Sequence, residues 1–96
     1  MAHELAAGVT VSDAALAQIV VHAADSVEGA RVRRPRRGLE VEVEDGRARV
    51  QLELAAQYGA VIPEVARSVQ QQVAGALRTM CGLESAAVDV SIEELE

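Results

Sequence analysis

The sequence predicts an α+β domain of order α-β-β-β-α-β, a two-layer sandwich with two helices on one face of a mostly antiparallel four-stranded sheet. Three observations predict it. Residues 39–54 alternate strictly around Asp45-Gly46, the pattern of a hairpin with one buried face. After Gly59 the apolar period changes to that of a helix and holds as far as Met80. Before the hairpin, Leu16, Ile19, Val20, Ala23 and Val27 already recur at helical spacing. Two helices with one apolar stripe each must bury those stripes, and a sheet with one apolar face is the surface that accepts both.

Residues 1–8 show no period and read as a flexible lead-in to a single domain over 9–93. Ser12 offers an N-cap hydroxyl, with Asp13 in the first turn where the helix dipole favours a negative charge. A helix over 13–27 follows, ended by Glu28-Gly29, and then a strand with the sequence ARVRR. Pro35 and Gly38 mark a turn. In the next hairpin the two-residue Asp45-Gly46 turn fixes register by arithmetic. Glu44 then faces Arg47, Glu42 faces Arg49, and Glu40 faces Gln51. On the other face Val43 meets Ala48, Val41 meets Val50, and Leu39 meets Leu52. One face is a charged ladder and the other is core.

The long helix carries an apolar stripe through Ile62, Val65, Ala66, Val69, Val73, Ala76, Leu77 and Met80. Pro63 is tolerated in the first turn, where its missing N–H has no intrahelical use. Gly82 stands where a left-handed C-terminal cap belongs. A last strand over 86–92 alternates again, and the tail after it reads as frayed. The place of that strand in the sheet is open.

Composition bounds function. In 96 residues, 50% are hydrophobic, yet there is one Tyr and no Phe or Trp, so the core is thin and self-association becomes plausible. The net charge of −6 argues against non-specific binding of nucleic acid by the whole molecule. One Cys allows no internal disulfide and suits a reducing cytoplasm. No apolar run approaches the ~20 residues that span a bilayer, and no signal peptide is apparent, so no direct membrane insertion is expected.

The ordered features GLEVEVEDGRARVQLELA, QYGAVIPEVARSVQQQVAGAL, MCGL and VDVSI, with GVTVSDAALAQIVVHAADSVEGA before them, resemble the alkaline shock protein family of envelope-stress-response proteins. The most specific elements are Tyr58-Gly59, Ile62-Pro63-Glu64-Val65, Val69-Gln70 and Gly82-Leu83. Val61 departs from the pattern, standing where the family often has a polar helix cap. The resemblance implies a cytoplasmic bacterial protein with no assigned catalytic activity. It also implies a protein that self-associates and is held near the membrane by a separate small membrane-anchored partner.

The candidate residues divide in two. Arg31, Arg33, Arg34, Arg36 and Arg37 put five cations into seven residues. They read first as a solvated tip neutralised by the neighbouring Glu40, Glu42, Glu44 and Asp45. Their second reading is an anion-binding loop for RNA or acidic lipid. No aromatic platform accompanies them, and recognition of single-stranded nucleic acid usually needs one. Tyr58, Gly59, Pro63 and Gly82 read as architectural, with the Tyr58 ring expected over the sheet edge. His22 reads as a surface residue and Cys81 as a half-buried packing thiol. Gly75, mid-helix and off the stripe, reads either as tolerated drift or as a site of close approach by another subunit. No residues stand at catalytic, cofactor or metal-ligand spacing, so an enzyme is not expected.

Overall fold

The structure is a computed structural model and describes residues 2–6, 8–32 and 38–96. The elements run β1 (Ala2–Ala6), β2 (Val9–Ser12), α1 (Asp13–Asp25), β3 (Ala30–Val32), β4 (Glu40–Glu44), β5 (Arg47–Ala56), α2 (Ile62–Cys81) and β6 (Ser85–Leu95). From α1 onward this is the expected α-β-β-β-α-β order. Ahead of it, Ala2–Ala6 corrects the expectation of a flexible lead-in: β1 pairs antiparallel with β2. This strand has no alternation strong enough to announce it. Partial burial of Leu5 and Val11 against the core, and a hydrogen bond between His3 and Asp13, hold it in place.

In the main sheet β5 is the central strand. One of its sides pairs antiparallel with β4 along its first half and with β3 along its second. Its other side pairs with β6, which runs parallel to it as an edge strand. The β4–β5 register is the one that the turn dictates, Glu44 to Arg47 through Glu40 to Gln51. Asp45 and Gly46 both have positive φ, 51° and 75°, as a type I′ turn requires.

Ser12 caps α1 by accepting the Ala15 N–H at 3.1 Å. The helix stops at Asp25, earlier than the sequence suggests, because the Ser26 hydroxyl donates to the Ala23 carbonyl at 2.6 Å and ends the ladder. Asp25 Oδ1 then accepts the Val32 N–H at 3.1 Å and folds the chain back into β3. β3 is shorter than ARVRR, and the rest of that stretch lies outside the described residues. Val61 caps the start of α2 without a side-chain hydrogen bond, and Gly82 caps its end at φ 66°.

The core lies between the helices and one face of β5. Ala48, Val50, Leu52 and Leu54 meet Leu16, Val20, Val21 and Ala24 of α1, and the α2 row Val65, Val69, Val73, Leu77 and Cys81. Each fully buried Leu or Val contributes roughly 1.5–3 kcal/mol. Two stripe assignments are corrected. In α1 the buried face includes Val21 and Ala24, while Ile19 and Val27 are only partly covered. In α2 Cys81 is buried, whereas Ile62 and Met80 are 37% and 67% exposed, since burial follows the i, i+4 row from Val65 and both lie a residue off it.

The tail is not frayed. β6 continues past a bulge at Glu93, so that Ala55 pairs with Glu94 and Ala56 with Leu95. Beyond the ladder, Glu96 N–H donates to the Ala56 carbonyl at 2.9 Å, and Tyr58 N–H donates to the Glu96 carbonyl. One bond donated by Glu96 and one accepted by it hold the last residue beside the end of β5.

Candidate interaction surfaces

The layers leave two outer surfaces, the open face of the sheet and the outer face of the helix pair. The open sheet face follows from the alternation of β5. With Ala48, Val50, Leu52 and Leu54 turned inward, Arg47, Arg49, Gln51 and Glu53 turn out. Around them stand Glu40, Glu42 and Glu44 of β4 and Asp89 and Glu93 of β6. Among the described residues, six carboxylates thus share this face with two guanidinium groups. The ladder has a structural use, since opposite-charge cross-strand pairs each contribute roughly 0.2–1 kcal/mol.

The helix face is different. Between α1 and α2 runs an open groove of about 930 Å³. Ile19, Val21, Ala23, Ala76 and Met80 give it an apolar lining, with His22 and Gln72 among the polar ones. Among the described residues Asp25 is the single carboxylate in the lining, and it accepts the Val32 N–H. Gly75 lies in this groove, and a Cβ built on it would meet nothing within 4 Å.

A third feature is the end of the sheet where β5 gives way to α2. Tyr58 is 80% exposed, which corrects the expectation that its ring packs over the sheet edge: its backbone N–H is engaged and its side chain points to solvent. Val61 and Leu95 are about half exposed nearby, brought to the same end because Leu95 pairs with Ala56. Gly59 has φ 92°, a conformation that side chains with Cβ resist, and the turn into α2 requires it. Pro63 sits in the first turn of α2.

Of the five arginines, Arg31 is described, and Arg33, Arg34, Arg36 and Arg37 lie outside the described residues. Arg31 projects from β3, with Nε 3.5 Å from a Glu96 carboxylate oxygen. Its side chain is three-quarters exposed, so the pair is a screened surface contact. Of the acids next to the arginine segment in sequence, Glu44 and Glu42 lie opposite Arg47 and Arg49 on β5.

Cys81 is buried more deeply than the half-buried thiol expected, and burial pushes its thiol pKa up from 9.0. At a helix C-terminus nothing offsets that, so the thiolate is disfavoured. His22 is exposed on α1. Among the described residues, no group of three or more His, Cys, Asp or Glu could hold a metal ion. No helix among them is long and apolar enough to cross a membrane.

Gln70 is the residue whose role the sequence did not reveal. Its Nε2 donates to the Val88 carbonyl at 3.0 Å, tying α2 to the edge strand, while Val69 beside it is fully buried. The Val-Gln pair therefore has one residue in the core and one satisfying the sheet edge, a carbonyl that an open edge would leave to solvent or to another chain.

Comparison with curated proteins and with solved structures found no match. A family model does match, over residues 30–96, which is more than half of the chain. It covers the strands and helix that carry the hairpin register, the Gly59 turn and the Val-Gln contact. The chain belongs to the alkaline shock protein 23 family, which is described as having a cell envelope-related function.

Proposed function

We propose that this chain is a non-enzymatic scaffold of the envelope stress response, acting by self-association and by binding a membrane-anchored partner that brings it, a cytoplasmic protein, close to the membrane. The observation that carries this reading is the family match over residues 30–96 with its cell envelope-related description. Its physical support is the distribution of apolar side chains left outside the core. Met80 on the helix face, and Tyr58, Val61 and Leu95 at one end of the sheet, are all about half exposed or more. In a chain with one aromatic residue, leaving that residue in solvent forgoes the largest apolar area available to the core, and contact with another protein would recover it.

The test has two arms. Sedimentation equilibrium of the purified chain across concentration should show reversible association. Cross-linking in cells followed by fractionation should recover the chain with a membrane protein. A strict monomer that is recovered with no membrane partner would remove the scaffold reading.

A further inference from the structure

We infer that two copies of this chain associate edge to edge: the outer edge of β6 pairs antiparallel with the same edge of a second copy, with Val90 on the two-fold axis. This rests on the self-association reading and assigns it a surface.

The hairpin decides which backbone groups reach that edge. A two-residue turn makes Glu44 and Arg47 a hydrogen-bonded pair, so Arg47, Arg49 and Gln51 turn their N–H and C=O groups to β4. Ala48, Val50, Leu52 and Leu54 therefore turn theirs to β6. In the parallel ladder Ala87, Asp89 and Ser91 bond back to β5, and Ala86, Val88, Val90 and Ile92 direct their backbone groups outward. The Gln70 contact agrees, since it reaches the Val88 carbonyl from outside the ladder.

The edge is open and weakly guarded. Among the described residues no strand pairs with the outer side of β6. The strand is 11 residues long, and before its bulge it has no Pro, no Lys or Arg and no charge turned inward. Gln70 covers one acceptor, but its side chain is exposed and a carbonyl has two lone pairs.

The strand's own sequence selects the occupant. Val90 is the midpoint of Ser85–Leu95, so a second β6 laid antiparallel about it overlaps along the whole strand. On the helix side Val90 then faces Val90 and Val88 faces Ile92. Val90 and Ile92 are only partly buried in one copy, and this pairing covers them. The acids Asp89, Glu93 and Glu94 stand level with Ser91, Ala87 and Ala86, so no acid meets an acid. Moving the axis to Asp89 would set Asp89 against itself, and moving it to Ser91 would set Asp89 against Glu93. With a net charge of −6 on each copy, the register about Val90 is the one that avoids adding to the repulsion.

The ladder sets the strength. The pairs from Val88–Ile92 through Val90–Val90 to Ile92–Val88 exchange about six hydrogen bonds in all. An ordinary interface carries roughly 10 ± 5, so the dimer is weak and concentration-dependent.

Amide hydrogen exchange of the parent chain, in dilute solution and at about 1 mM, tests the edge directly. The amides of Val88, Val90 and Ile92 should exchange about tenfold or more slowly at the higher concentration, whereas β5 protects those of Ala87, Asp89 and Ser91 throughout. Sedimentation equilibrium follows association in the same samples. Val90→Pro removes an outward N–H and leaves the β5 ladder intact, so it should fold, as a circular dichroism melt checks, and should weaken association about tenfold or more. Ser91→Arg, level with Asp89 of the other copy, should tighten association about twofold or more. A parent that associates without slowing the three outward amides overturns the edge and leaves self-association standing. Slowed amides with no gain from Ser91→Arg would overturn the register. A parent that stays monomeric up to about 1 mM overturns this pairing and self-association together.

Discussion

The two hairpins of this protein show how differently the same motif can be secured. β4–β5 has its Asp45-Gly46 turn in the left-handed region, five paired positions, and an inner face that closes the core. β1–β2 forms a separate two-stranded sheet, slips register between Glu4 and Ala6, and touches the core through partly buried Leu5 and Val11. A two-stranded hairpin is marginal in water by itself, and three or more strands with a covered face are stable. The lesson is that the turn and the alternation specify a hairpin, whereas the covering layer stabilises it.

The sharpest way to break this contrast is to remove core from beneath β5. Leu54 is fully buried, and Leu54→Ala should destabilise the whole domain by about 2–5 kcal/mol in denaturant unfolding. Leu5→Ala should shift the global midpoint far less. It should raise hydrogen exchange in β1–β2 while β5 amides keep their protection. Equal global losses from the two substitutions would make the N-terminal hairpin part of the core.

The next largest effect concerns the turn. Gly46 has φ 75°, which a β-branched residue resists, so Gly46→Val should cost about 1–2 kcal/mol. The loss should appear as a lower melting temperature with the inner face intact. A neutral outcome would mean that the core alone sets the β4–β5 register.

How much of this was legible follows from the same contrast. The β4–β5 register was readable because Asp45-Gly46 and strict alternation agree, and one misplaced residue would have put Glu42 in the core. Helix α2 was readable because Val65, Val69, Val73 and Leu77 leave one arrangement of its faces. The end of the row was misassigned to Met80, although Cys81 continues the i, i+4 spacing from Leu77. β1 was not readable, since its pairing depends on tertiary support and carries no local signal. Nor was the place of β6, because alternation says which way side chains face and nothing about the neighbouring strand. The candidate surfaces were legible only in part. Gly75 was singled out by its cost to the helix, but the groove exists only once α1 lies beside α2. The contact from Gln70 to Val88 joins residues 18 apart, and no spacing rule connects them.

A smaller effect should come from the outer ladder. Glu42 and Arg49 lie opposite each other on the solvated face, and a double-mutant cycle to Ala should give a coupling of about 0.2–1 kcal/mol that falls as salt is added. A larger, salt-insensitive coupling would mean that this face is covered in solution, and would move the search for a partner from the edge of β6 to the open face of the sheet.

The smallest effect concerns the weaker hairpin and is read at a single carboxyl. Asp13 opens α1 and pairs with His3 of β1, and that hydrogen bond is the main reason its pKa is held below 3.8. A carboxyl with a depressed folded-state pKa binds its proton less readily folded than unfolded. Its contribution is therefore fully present above pH 3.8, and is lost as pH falls from there through the native value. His3→Ala should move the Asp13 titration, followed by NMR of its carboxyl carbon, back towards 3.8. The same substitution should raise hydrogen exchange in β1 and β2 at neutral pH and leave β4–β5 unchanged. An Asp13 titration that does not move would show that His3 does not set its pKa. β1 would then be held by Leu5 and Val11 without the His3 contact.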